Sequence, residues 1–238
     1  MPRRRRPLAA AGTALALALA AGAFAGRALR SGAVAGQPDP LAEPFRGITT
    51  DGSPIEGLFP IRATGVSTEP IRRAADAFLA VLTDEQRAKA TFPVDHIKWR
   101  RWSNVSRFDR DGVSFEEMTD AQRDAGIGMA RAGLSARGLE KVRNVMRLDG
   151  HLADLLNNYE VYGEHKYYLS VLGRPSATEP WGWQLEGYHL LVTYFVLGDQ
   201  VVMTPTFLGS EPVTATSGRF AGIAVLQEEQ DKGLAFMQ

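Results

Sequence analysis

The chain contains no cysteine. That absence excludes disulfides, thiolate metal sites, a cysteine nucleophile and a lipidated N-terminal cysteine. Familiar catalytic signatures are missing too: there is no Gly-x-Ser-x-Gly elbow, phosphate-binding loop, His-Glu-x-x-His helix or dinucleotide fingerprint. Histidine is scarce, and His96, His151 and His165 are scattered. Asp95-His96 beside Pro93 reads as readily as a turn as a site, and His151 lies near an apolar helical stripe, a structural position. No internal repeat is present. Without disulfides an exported chain depends on its hydrophobic core, and a hydrophobic content of 45% is compatible with one. The 238 residues fit a single domain, or one domain with a long irregular N-terminal arm.

What is present begins with a destination. Arg3, Arg4, Arg5 and Arg6 form a basic region, a run rich in Ala, Leu and Gly and free of charge follows from Leu8 to Ala21, and Ala23-Phe24-Ala25 supplies a small-x-small cleavage pattern. Residues 1–25 therefore read as a cleavable export signal, and the paired arginines followed by Pro7-Leu8 favour the twin-arginine route. The competing reading is a retained anchor, but the apolar run falls short of the roughly 20 residues that span a bilayer. The expected location is extracytoplasmic, periplasmic or secreted, with membrane contact only through the export signal. A mature chain from Gly26 carries 23 Lys and Arg against 27 Asp and Glu, a net charge of −4 that disfavours nucleic-acid binding.

Residues 26–66 lack any sustained period and read as a flexible leader followed by an extended arm with apolar pegs such as Ile48, Ile55 and Phe59. An α+β domain is expected over 67–238. Ser67 or Thr68 is placed to cap a helix carrying Ile71, Ala75, Phe78 and Leu82 at helical spacing. Thr83 to Gln86 and Thr119 to Gln122 are both capping-box signatures. Gly133-Leu134 reads as a helix stop and Ser135 as the next cap, opening a long helix with a stripe through Val142, Val145, Met146, Leu148, Leu152 and Leu155. After Tyr162 the period changes from 3.6 to 2. Lys166 to Leu172 reads as one strand and Trp183 to Leu197 as a single long one, with Leu197 to Val201 a tight hairpin in which Gly198 supplies a positive φ and Val201 to Phe207 returns antiparallel. Residues 97–105 are a further candidate strand. The fold expected is α+β, with several helices packed on one face of a mainly antiparallel meander sheet.

The densest chemistry lies in Trp181 to His189. Glu186 and His189 are the candidate catalytic pair, but an odd spacing on a regular strand sends them to opposite faces. Gly187 is therefore read as a bulge that brings them to one face, where the carboxylate would orient or deprotonate the imidazole, or both would reach a metal. The plainer reading makes Glu186 a solvent-facing or arginine-paired group and His189 a hydrogen-bonded sheet residue. Trp181, Trp183, Gln184 and Tyr188 are candidate substrate contacts, with Trp181 and Trp183 either a stacking platform for a sugar or aromatic ligand or plain core packing. Trp99-Arg100-Arg101-Trp102 is either an anion site or arginines stacked on packed tryptophans. No metal-ligand set and no cofactor is read from these residues.

Four segments together resemble the domain of unknown function 3500 family: Phe45 to Gly52, Trp99-Arg100-Arg101-Trp102, Pro180 to His189, and Thr204 to Pro212. The resemblance runs in order from Phe45 to the end. It implies an exported bacterial protein without an established activity. Similar members usually carry two adjacent histidines where this chain has Tyr188 and His189. They also continue into a second region with a His-x-His element, so the chain resembles the first part of a longer protein. Two functions are carried forward. One is an extracytoplasmic, hydrolase-like enzyme using Glu186 and His189, its site completed by the family's second region. The other is a noncatalytic module binding a small molecule or carbohydrate through exposed aromatics. Leu226, Leu234, Phe236 and Met237 additionally suggest self-association through the C-terminal end.

Overall fold

The computed structural model describes residues 49–57 and 65–238. The expected export signal, the leader and arm up to Ile48, and residues 58–64 with the pegs Leu58, Phe59 and Ile61 lie outside the described residues.

Local signals set the helices. The first, α1 (Glu69–Val81), buries Ile71, Ala75 and Phe78. Thr68 precedes it without capping it: its hydroxyl donates to the Gly198 carbonyl at 2.5 Å, while Ser67 Oγ accepts from the Glu69 amide at 3.2 Å. Helices α2 (Asp84–Ala90) and α3 (Asp120–Gly133) both open on complete capping boxes, from Thr83 with Gln86 and from Thr119 with Gln122. The same two glutamines also meet, Gln122 Nε2 donating to Gln86 Oε1 at 2.7 Å, so the two helix starts are tied together. Helix α4 (Ala136–Leu156) starts on Ser135, buries Val142, Val145, Met146, Leu148 and Leu152, and ends on left-handed Asn157. Leu155, expected in the stripe, is exposed.

The strands are β1 (Thr91–Phe92), β2 (Val113–Ser114), β3 (Tyr167–Leu172), β4 (Trp181–Gly187), β5 (Leu190–Leu197), β6 (Gln200–Val202) and β7 (Thr206–Leu208). They form one sheet in the order β1-β3-β4-β5-β6, with β2 also on β3 and β7 also on β5. β1 runs parallel to β3 and the remaining pairs are antiparallel. One core joins Phe78, Met129 and Val145 of the helices to Leu169, Trp183, Leu185 and Tyr194 of the sheet. The fold is α+β, with helices on one face of a mainly antiparallel sheet.

Three expectations are corrected. The long strand from Trp183 to Leu197 is two strands folded at Tyr188-His189, because Gly187 pairs with Leu190 and leaves a two-residue loop in which His189 takes φ 57°. Gly187 is no bulge, for the β4 ladder runs unbroken on both sides. Its lack of a side chain serves a close approach: a Cβ there would sit 2.2 Å from Tyr167 Cδ1. Second, the return from Gly198, whose φ is positive as expected, is two short strands rather than one, and Pro205 in the gap has no N–H to give to a ladder. Third, residues 97–105 are not a strand. They begin with a single 3-10 turn, Ile97–Trp99, and continue irregularly.

That irregular segment has a different task. Alternation places Ser170, Gly182, Gln184, Glu186 and Thr193 on the sheet face away from the helices. Lys98 reaches Glu186, the Trp99 ring would lie 2.7 Å from a Cβ at Gly182, and one at Gly112 would lie 2.5 Å from Ser170 Oγ. The chain from Lys98 to Gly112 thus straps the second face. A smaller cluster of Leu148, Ala215, Phe220 and Val225 seats the C-terminal segment on α4. Beyond it, α5 (Gln227–Met237) buries no residue, and Leu234, Phe236 and Met237 are exposed. Among the described residues, no helix is long and apolar enough to cross a membrane.

Candidate functional site

The expected pair is not brought together. Glu186, 1% exposed, projects from β4 into the strap, where Lys98 Nζ bonds its Oε1 and Arg110 Nε lies 3.9 Å from its Oε2. Burial pushes its pKa up, while the lysine and arginine charges pull it back. His189 sits in the β4–β5 turn, its backbone N–H donating to the Asn104 carbonyl at 3.1 Å. Its Nε2 is 3.7 Å from Glu211 Oε2, yet neither ring nitrogen makes a hydrogen bond. Desolvation lowers its pKa against the opposing pull of Glu211, which keeps the ring neutral at neutral pH. The bulge that was to unite the two residues is absent, and each engages other groups.

The tryptophans are core residues. Trp181 and Trp183 are fully buried; Trp183 stacks on Tyr194 at 5.3 Å and 9°, and Trp181 Nε1 donates to the Ser176 carbonyl at 3.0 Å. They form no exposed platform. Gln184 is also buried and donates to Thr193 Oγ1 at 3.3 Å. Of the expected substrate contacts, Tyr188 lines a cavity. It is half-buried, with its hydroxyl donating to Glu211 Oε2 at 2.8 Å and its ring 4.0 Å from that of His189. In the Trp-Arg-Arg-Trp run, Arg101 pairs with Asp111, and the Trp99 indole donates to the Val94 carbonyl at 2.6 Å.

The cavity that Tyr188 lines has a volume of about 140 Å³, and its walls include Arg107, Arg110, Asp149, Glu160, Lys166 and Tyr168. Asp149 is the unusual member. It comes from the middle of α4, is 3% exposed, and accepts from the Gly163 amide at 3.3 Å through Oδ2, while Oδ1 has no partner. Burial pushes its pKa up to about 7, against the Gly163 N–H, the charges of Arg110 and Lys166 and the Tyr167 hydroxyl, which all favour the carboxylate. A carboxyl that titrates near neutrality both takes and gives a proton there. Arg110 is held by four backbone carbonyls, those of Ser103, Val105, Ser106 and Phe108, at 2.6–3.4 Å. Its charge acts on both buried carboxyls, Glu186 and Asp149. Tyr167, buried in the sheet, donates to the Tyr188 carbonyl at 3.0 Å and so fixes the turn.

Sequence reasoning missed Lys98, Arg110, Asp149 and Glu211. A signal for Asp149 was present: a carboxylate between Leu148 and Leu152, on the stripe of a core helix, must be buried or paired. Arg110 and Lys98 carry no such signal, because they lie on an irregular segment. Among the described residues no group of three or more His, Cys, Asp or Glu is placed to hold a metal ion.

No curated protein and no solved structure matches the chain. A family does: the one described as Protein of unknown function (DUF3500) matches residues 64–238, leaving the Phe45 to Gly52 segment outside the match. Since that span is well over half of the 238 residues, the chain belongs to the DUF3500 family.

Proposed function

We propose that this chain is an exported, hydrolase-like protein whose acid–base group is Asp149 rather than the Glu186–His189 pair. The observation that carries the reading is a nearly buried carboxyl, pushed up to about 7, in a polar cavity lined by Tyr188, Lys166 and Arg110. Proton transfer at neutral pH requires a group of that pKa within reach of a bound molecule. Arg110 and Lys166 favour a substrate that gains negative charge as it reacts. Glu186 acts through Arg110, as a positioning residue, and Glu211 orients the Tyr188 hydroxyl. The cavity's small volume suits the reacting group of a substrate rather than a whole large ligand. A carbohydrate-binding module built on Trp181 and Trp183 finds no support in two buried indoles.

The experiment combines chemistry with titration. Purified protein is assayed against chromogenic esters, amides and glycosides, and the Asp149 carboxyl is followed by carbon-13 NMR across pH. The reading expects a pKa near 7 and turnover that Asp149→Asn removes while the fold persists. A carboxyl titrating in the ordinary range, or turnover indifferent to Asp149→Asn, overturns it. Export is tested separately by sequencing the N-terminus of secreted material, expected near Gly26. Intact Met1 on membrane-bound protein ends that part of the proposal.

A further inference from the structure

A pocket of about 320 Å³ opens between α3 and α4, with a lining that includes neither Tyr188 nor Asp149. Its apolar lining comes from Phe115, Ile127 and Met146. Most of the charged groups around it already have partners. Arg123 donates to the Phe115 carbonyl at 2.7 Å and to Asp120 at 2.8 Å. Arg147 donates to Asn144 at 3.2 Å and lies 3.9 Å from Glu164. Burial and the Arg123 charge lower the pKa of His165, so it brings no cation.

Two lining groups of opposite sign remain: Asp124 on α3 and Arg143 on α4, both exposed and, among the described residues, without a side-chain hydrogen bond or ion pair. Helical spacing sets each beside an apolar group of its own wall, Asp124 with Ile127 and Arg143 with Met146. One free carboxylate and one free guanidinium flanking an apolar lining match a molecule with an ammonium, a carboxylate and an apolar side chain. The volume falls within the usual range for small-molecule sites. We infer that the α3–α4 pocket binds a free α-amino acid with an apolar side chain, Arg143 taking its carboxylate and Asp124 its ammonium.

Calorimetric titration of the purified protein with L-leucine tests this, against 4-methylpentanoate, which lacks the ammonium, and isoamylamine, which lacks the carboxylate. Leucine is expected to saturate one site in the millimolar range or tighter, with each analogue weaker by about tenfold or more, the worth of a charged hydrogen bond. Arg143→Ala should erase the advantage of leucine over isoamylamine, and Asp124→Asn its advantage over 4-methylpentanoate. Both positions are exposed, so the fold should tolerate either change. Asp149→Asn should leave leucine binding intact, which separates this site from the acid–base cavity. Absence of leucine binding, or binding indifferent to both pocket substitutions, overturns the inference.

Discussion

The two faces of the sheet are built on opposite principles. On the helix side Leu169, Trp183, Leu185 and Tyr194 are sealed by α1, α3 and α4, and their contribution scales with the apolar area removed from water. On the strap side Ser170, Gln184, Glu186 and Thr193 are polar groups buried just as deeply, beside Leu172 and Leu191, with Lys98 and Arg110 lowered onto them. Burying such groups costs free energy unless each finds a partner, and buried ion pairs seldom outperform apolar packing. The helix face therefore supplies stability. The strap face fixes where one segment lies, and with it the position of Arg110 beside Asp149.

The sharpest way to break this contrast is to remove one member of the buried ion pair. Lys98→Met strands Glu186 and should cost about 3–5 kcal/mol in denaturant unfolding, whereas Lys98→Met with Glu186→Met should recover most of it. Trp183→Ala on the other face should cost a similar 3–5 kcal/mol, with no second substitution to repair it. A loss below about 1 kcal/mol for Lys98→Met would rank the pair with surface ion pairs and end the contrast.

Asp149 gives the next effect, and pH reads it. Its pKa is raised from 3.8 to about 7, so the folded chain prefers the protonated form. Its stabilisation is complete below about pH 4 and is lost as pH rises through about 7, a change of up to about 4 kcal/mol. Wild-type protein should thus lose stability across that window relative to Asp149→Asn. Parallel curves would show that Asp149 ionises freely.

Smaller still is Gly187→Ala, whose methyl group meets the Tyr167 ring. A loss of about 1–3 kcal/mol is expected by thermal or chemical unfolding. An unchanged midpoint would mean that the ring moves aside easily. Thr119→Ala should cost about 1 kcal/mol. Because the Gln122 of that cap bonds Gln86, its combination with Thr83→Ala should depart from additivity; a strictly additive double variant would show the two helix starts to be independent.

The helices were readable in advance because their instructions are local: Thr83, Thr119 and Ser135 satisfy backbone groups within one turn of themselves. The helix-packed face followed from periodicity. The β4–β5 turn was hidden because Tyr188-His189 is not a pair that turn chemistry favours, so its strands read as one. The candidate site was hidden for another reason. Asp149, Arg110 and Tyr188 come from a helix, a strap and a turn, and what makes Asp149 unusual is its burial, which only the assembled chain creates.

Helix α5 offers a last contrast in how a segment is held. Its acidic first turn bonds Arg137 and Lys141 of α4 through Glu228 and Glu229, and no side chain of its own is buried. Attachment by exposed charges weakens as dissolved ions shorten the reach of each one, a distance of about 8 Å at physiological ionic strength and about 3 Å in molar salt. The core beneath answers to temperature and denaturant, while this outermost helix answers to the ionic composition of the surroundings. Brine should release it for proteolysis while the sheet stays closed.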